Sequence, residues 1–291
     1  MTSDILYSTA STAPDLARDG WPELRPREIA LMFSGGLDST ATAILLAEKF
    51  DKVHLLTYKN GYGHYNHWRT ANRVKELNRK LGDRFVYSLI GTKAYFDDVL
   101  VRSVVSDFKE YKSGFIWCMG CKMAMHMRSA LYCLEHGLFK MTDGSNSDTD
   151  EMVEQMLISL TLIRGFYGGF GINFGTPVYE STRDDSRTLI GKHDLKMGTK
   201  ILDRHLNIQP SCVAGELYYV PYVLFNKKVK HDESTVARFI QAKQEIARRL
   251  MRSYFADRDV DLDTLLAARS AQRDQLVAAA AEQGLAAPSP A

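Results

Sequence analysis

Apolar residues fall in short runs separated by stretches with helical spacing, and this alternation starts at Ile29. Ile29–Phe33 reads as a strand ending on Ser34-Gly35-Gly36, and Thr40–Phe50 follows with the period of a helix. Val53–Tyr58 predicts a second buried strand. His67–Leu81 predicts a helix with Trp68, Ala71, Val74, Leu77 and Leu81 at helical spacing. Arg84–Ile90 predicts a third strand, Tyr95–Phe108 one helix, and Cys121–Glu135 another that Gly137 would cap. Leu138–Thr142 predicts a fourth strand. Asp148–Arg164 predicts a long amphipathic helix with Asp148, Asp150 and Glu151 in its first turn, where the dipole favours acids. Residues 165–215 are less regular, and a fifth strand is expected near Val178 with a helix around Asp185–Met197. Residues 234–284 read as helical and end Ala-rich, before a tail expected to be disordered. Short apolar runs alternating with helices imply βαβ units, a parallel sheet and a ligand site beyond the C-terminal strand ends.

Charge and composition narrow the function classes. The 291 residues carry 37 basic and 35 acidic side chains, a net +2, so no strong global field favours nucleic acid, though a local basic patch stays open. No apolar run is long enough to span a membrane. The first residues lack a basic segment followed by an apolar core, so a cytoplasmic chain is expected. Four cysteines do not read as a disulfide framework.

The strongest chemical signal is Ser34-Gly35-Gly36-Leu37-Asp38-Ser39, followed by Thr40, between a strand and a helix. Glycines let backbone amides approach a phosphate, and the helix N-terminus adds positive potential. Ser34 and Ser39 supply hydroxyls, and Asp38 is placed to hold Mg²⁺ or to orient the loop. A tight turn capped by Ser39 is the bland alternative. The Gly-Lys-Ser/Thr spacing of a Walker loop is absent. The hexapeptide resembles the SGGxDS loop of the PP-loop, or N-type, ATP pyrophosphatases, over roughly residues 28–215. That resemblance implies an α/β fold with a five-stranded parallel sheet and helices on both faces. It also implies ATP cleavage to AMP and pyrophosphate, adenylation of a substrate oxygen, and displacement of AMP by nitrogen or sulfur. The implied organisation is an irregular arm over 1–27, a catalytic domain over 28–232 and a C-terminal helical extension over 233–291.

The cysteines sharpen this expectation. Cys118-Met119-Gly120-Cys121 is a CxxC, and Cys212 follows far downstream. Three thiolates with one open iron position suit a 4Fe-4S cluster. A zinc site with a histidine as fourth ligand, a redox pair, or a cluster-free persulfide route also fit the residues. The order of Cys118, Cys121 and Cys212 resembles the PP-loop group that thiolates tRNA bases with a three-cysteine 4Fe-4S cluster. Asp148, in Gly144-Ser145-Asn146-Ser147-Asp148-Thr149-Asp150, matches the first acid of a Gly-His-x-x-Asp-Asp-like stretch of that group, and Tyr167-Gly168-Gly169 matches a later loop. Thr149 and Ser145 depart from the pattern. So does Thr57-Tyr58-Lys59-Asn60, which lacks the acid usual at the end of the second strand. Lys122, His126 and Arg128 follow the CxxC as basic residues, and their spacing is not matched to a motif of the group.

These residues point to ATP-dependent thiolation, with Asp38, Cys118, Cys121 and Asp148 as catalytic candidates. The expected cofactors are ATP, Mg²⁺ and the cluster, and a sulfur donor is an expected partner. The near-neutral charge favours a small molecule or nucleobase as substrate over tRNA. An ammonia-using amide or nitrile ligase with a structural metal is the alternative enzyme, and a non-cleaving nucleotide sensor the non-catalytic one. His64 and His67, in the polar and aromatic stretch after the second strand, are candidates to contact a purine or ribose, and Arg183, Arg187, Lys192, His193 and Lys196 to grip phosphates. Met119, Met123, Met125, Met127 and Cys133 read as core. The Ala-rich C-terminal helix is a candidate homodimer surface.

Overall fold

Four of the five residues of β1 (Glu28–Met32) are buried, as a strand flanked by strands and covered on both faces requires. In the computed structural model, which describes residues 21–149, 152–195, 211–215, 217–218 and 230–282, β1 lies between β2 (Lys52–Lys59) and β5 (Lys140–Thr142). β4 (Phe85–Gly91) flanks β2, and β6 (Asn173–Gly175) flanks β5. All four pairings are parallel, with Leu31 opposite Leu55 on one side and opposite Thr142 on the other. A separate antiparallel pair joins β3 (His64–Tyr65) to β7 (Ser211–Cys212). The chain grows outward from β1 through β2 to β4, then returns to build β5 and β6. Strand order therefore reverses between β1 and β5, which is where open α/β sheets bind ligands.

The period of two along β1 sorts its side chains into two cores. Ile29, Leu31 and Phe33 pack with Ile44 of α1 (Leu37–Lys49), Val74 and Leu77 of α2 (Trp68–Leu81) and Ile190 of α7 (Arg183–Lys192). Ala30 and Met32 pack on the other face, with α5 (Phe115–Glu135), α6 (Leu157–Gly168) and α8 (Glu233–Ala256). Met119, Met123, Met127 and Cys133 are fully buried there, as expected of core residues. The α8 face built from Val236, Phe239, Ile240, Ala247, Met251 and Phe255 belongs to this same core, and Leu265 of α9 (Leu262–Glu282) closes it. Among the described residues no helix is long and apolar enough to cross a membrane.

The expected strands form, and several helices differ. Tyr95–Phe108 is two helices, α3 (Lys93–Val99) and α4 (Val104–Tyr111), joined by a 3₁₀ turn at Val101–Ser103. Leu100 leaves helical geometry at φ −134° because its buried side chain packs against Gly120 of α5. α5 starts at Phe115 rather than Cys121, since buried Phe115, Ile116 and Met119 carry its apolar face back through the CxxC. Asp148–Arg164 is not one helix. Two 3₁₀ turns, Ser147–Thr149 and Val153–Gln155, precede α6. The Asn146 side chain accepts from the Asp148 amide at 2.8 Å, and Gln155 accepts from the Asn146 amide at 2.8 Å. Such local bonds compete with the helical ladder. The fifth strand forms at Asn173–Gly175, ahead of Val178, which is buried against the α1 side. α7 begins at Arg183, set by a capping box between Thr182 and Asp185. Residues 1–20 of the expected arm, Asp150, Glu151, Lys196, Met197 and the C-terminal tail lie outside the described residues.

Candidate active site

The loop Ser34–Gly36 leaves the C-terminal end of β1 and delivers the chain into α1. Gly35 sits at φ +73°, a left-handed conformation open to glycine, with Thr70 of α2 packed against it. The loop braces itself. Ser34 Oγ accepts from the Gly36 amide at 3.3 Å and lies 3.1 Å from Ser39 Oγ. The Ser39 hydroxyl donates to Gly36 O at 3.3 Å, and Thr40 Oγ1 donates to Gly35 O at 3.3 Å. No side chain caps α1. Its first amides and the positive end of its dipole are thereby left for an anion, the arrangement that binds phosphates.

Ser34, Gly36, Leu37, Asp38 and Ser39 line a cavity of about 460 Å³, while Gly35 and Thr40 brace the loop from behind. The opposite wall is Asp143-Gly144-Ser145, at the end of β5. Lys122 of α5 reaches Asp143 with a 2.9 Å ion pair whose carboxylate is 2% exposed. Burial opposes ionisation of Asp143, but the Lys122 charge with its hydrogen bond and the Ser145 amide outweigh it and hold the carboxyl below its usual range. Burial, aided by the neighbouring Lys122 charge, pushes His126 down to about 3, so this histidine is neutral.

Asp38 has a buried Oδ1 with no hydrogen-bond partner. Burial raises its pKa, Arg183 and Arg187 oppose this, and Asp148 adds to the rise. Asp148 is therefore within electrostatic reach of Asp38, and its Oδ2 accepts from the Arg183 amide at 3.3 Å. A buried carboxylate oxygen without a partner, within electrostatic reach of the exposed Asp148 carboxylate, suits a hard divalent cation such as Mg²⁺, although Asp148 itself lies outside the cavity lining.

Cys118 and Cys121 sit one turn apart on the first half of α5, so they share a helix face. Cys212 arrives from the other direction, paired in register with His64 through β3 and β7. The three are within electrostatic reach of one another. Burial pushes Cys118 up, with Glu154, Cys121 and Cys212 adding to it, and burial pushes Cys121 up to about 12. Among the described residues no three His, Cys, Asp or Glu side chains stand at metal-ligand spacing. The residue types, two thiols on one helix face and a third within electrostatic reach, are those that a cubane with one open iron takes, but the described side chains do not stand together at ligand spacing.

Several contributors were not singled out from sequence. Asn60, fully buried at the end of β2, donates its Nδ2 to Cys121 Sγ at 3.2 Å and accepts the Tyr62 amide at 2.8 Å. Glu154 lines the cavity and faces both helix cysteines electrostatically. Asp143 carried no signal because its partner is 21 residues away. His64 lines the cavity and His67 lies 6.1 Å away ring to ring. Of the basic run, Arg183 lines the cavity and Arg187 pairs with Asp184 at 3.0 Å.

No protein-family model matches this sequence, and no curated protein matches it. Among solved structures the chain is similar to the U34-tRNA thiolase NcsA from Methanococcus maripaludis with its 4Fe-4S cluster, at 15% identity and a TM-score of 0.43 over 80% of this chain and 75% of that one. It is similar to NMN synthetase from Francisella tularensis, at 11% identity and a TM-score of 0.41 over 76% and 87% of the chains. It is also similar to the NH3-dependent NAD synthetase from Campylobacter jejuni, at 16% identity and a TM-score of 0.38 over 80% and 88%. The resemblance to the PP-loop ATP pyrophosphatases stands on this chain's own Ser34–Ser39 loop, at the point where the order of its five-stranded parallel sheet reverses.

Proposed function

We propose that this protein is an ATP-dependent sulfurtransferase that adenylates a carbonyl oxygen of a nucleobase-like small molecule and replaces that oxygen with sulfur. One observation carries the reading: one cavity is lined by Ser34, Gly36, Leu37, Asp38 and Ser39 and by Lys122, Glu154 and His64, of which Lys122 follows Cys121 in α5, Glu154 acts electrostatically on Cys118 and Cys121, and His64 pairs with Cys212, while the three cysteines themselves lie outside its lining. The catalytic unit spans 28–232, with 233–291 as a helical addition. Free thiols at all four cysteines suit a reducing, cytoplasmic setting.

The loop amides and the uncapped start of α1 bind the pyrophosphate end of ATP. Asp38, with Asp148 in electrostatic reach, would hold Mg²⁺, which when bound would neutralise charge on the phosphates. The substrate oxygen attacks the α-phosphorus. A new P–O bond forms, the bridge to the β-phosphate breaks, and the electron pair leaves with pyrophosphate, where preorganised amides stabilise it. Sulfur then adds at the activated carbon and AMP departs with the original oxygen. Cys118, Cys121 and Cys212 would hold a 4Fe-4S cluster, which supplies sulfur at its open iron when bound. Asn60 donates to Cys121 Sγ, and the β3–β7 pairing of Cys212 with His64 leaves Cys212 within electrostatic reach of the two helix cysteines.

The test is iron, sulfide and zinc analysis of anaerobically purified protein, with AMP release measured alongside. Near-stoichiometric iron is expected, lost in Cys118→Ala, Cys121→Ala and Cys212→Ala. Asp38→Asn should keep its iron and lose about 10²-fold in AMP formation, the scale of one lost electrostatic contact in a transition state. Zinc without iron would move the reading to an ammonia-using ligase. Thiolation without any metal would move it to persulfide chemistry on the same cysteines.

A further inference from the structure

At the opposite end of the sheet from the cavity, α9 buries an arginine that has too few partners. Arg269 is 5% exposed, and its Nη2 donates to the carbonyl of Leu138 at 2.7 Å, just before β5 begins. Its Nε and Nη1 are buried and make no hydrogen bond. Among the described residues no acid forms an ion pair with it. Arg273 follows four residues later on the same helix face and is close enough to disfavour the Arg269 charge. Burial, opposed by Cys133 and reinforced by Arg273, pushes Arg269 down only to about 10, so the guanidinium stays charged at neutral pH.

Both arginines line one pocket of about 50 Å³, together with Ser270, Phe139, Phe170 and Leu24. Water needs about 10–15 Å³ of such space, so the pocket takes about four water-sized atoms. A buried cation with unused donors is strongly unfavourable unless an anion meets it. Guanidinium forks match the oxygens of tetrahedral oxyanions, and the two phenylalanines exclude competing water.

We propose that Arg269, Arg273 and Ser270 form a binding site for a small tetrahedral oxyanion of the phosphate or sulfate class. The site is distinct from the nucleotide cavity. The bound oxyanion ties α9 to the start of β5 and to the segment entering at Leu24, so occupancy is read as docking of α9 on the body.

The test is thermal melting and calorimetry of the full chain in a buffer free of phosphate and sulfate, with the nucleotide loop saturated by a non-hydrolysable ATP analogue. Inorganic phosphate, and sulfate in a second arm, should still raise the melting temperature and bind with one site per chain. Arg273→Gln and Arg269→Lys should each weaken binding about tenfold or more, since Lys lacks the fork. If Arg269→Lys does not fold, Arg273→Gln decides alone. No oxyanion-dependent shift, or an equal shift in Arg273→Gln, overturns the proposal. So does a wild type blind to phosphate in which Asp15→Asn or Asp19→Asn destabilises as Arg269→Gln does, because the chain's own carboxylate would then fill the pocket. None of these readouts depends on sulfur transfer or on the cysteines.

Discussion

Gly144→Ala is expected to cut ATP-dependent turnover about 10²-fold while removing no titratable group. A Cβ at Gly144 would lie 2.7 Å from Ser39 N, 2.8 Å from Ser39 Cα and 3.0 Å from Asp38 C. All three are backbone atoms of the first turn of α1, so no side-chain rotation relieves the clash. Either the end of β5 withdraws or α1 moves. Overpacking of this kind costs about 1–3 kcal/mol. The larger effect is on the reaction, because a shift of about 1 Å in reacting groups costs about 10²-fold. AMP release and thermal unfolding measured on the same preparation check this. Gly165→Ala is the control: its Cβ meets nothing within 4 Å in α6, and the helix should gain about 0.5–1 kcal/mol. Turnover of Gly144→Ala near wild type would show that the two loops do not act as one site.

Asp143→Asn should cost the most stability. The Asp143 carboxylate is 2% exposed and holds Lys122, which is 19% exposed, at 2.9 Å. Asparagine preserves an acceptor for the Ser145 amide, now 3.1 Å from Oδ1, but strands the lysine charge. Breaking a buried pair from one side costs about 3–5 kcal/mol, and the residual exposure of Lys122 favours the lower end. The sign of the pH dependence follows from the lowered pKa. A carboxyl whose folded pKa lies below its unfolded value of about 4 stabilises the fold above that value and loses this contribution as pH falls through the folded pKa. The gap between wild type and Asp143→Asn should hold near neutrality and narrow below about pH 4. Urea unfolding across that range measures it, and a gap that stays constant into acid would assign the loss to packing. Lys122 lines the cavity beside Cys121, so activity should fall together with stability.

Both experiments probe contacts that no sequence window contains. The Ser34–Ser39 loop was legible because its chemistry is local: two glycines, two hydroxyls and an acid lie between an apolar run and a helix start. The five strands were legible in outline for the same reason, since a buried parallel strand must be an apolar run. The fifth was placed near Val178 rather than at Asn173–Gly175, because three residues give too little periodicity to fix a register. The β3–β7 pair, two residues on each side, carries no periodic signal at all. The helix expected over Asp148–Arg164 failed because Asn146 and Gln155 bind the backbone locally, a competition that hydrophobic spacing does not register.

The cysteines divide the same way. Cys118 and Cys121 share a face because they are three residues apart on a helix, which sequence spacing alone determines. A third thiol from Cys212 was expected from resemblance, and the pairing of Cys212 with His64 leaves it within electrostatic reach of the other two, short of ligand spacing. Sequence determined the parallel α/β sheet, the Ser34–Ser39 turn between strand and helix and the identity of the thiols, because each is written in residues within a few positions of one another. Tertiary structure alone decided that Gly144 closes on Ser39, that Asn60 holds Cys121, that Lys122 neutralises Asp143 and that Arg269 is buried short of partners. These are juxtapositions of distant segments. Their energies depend on burial and on distances of about 3 Å, the hydrogen-bond scale that only the folded chain sets.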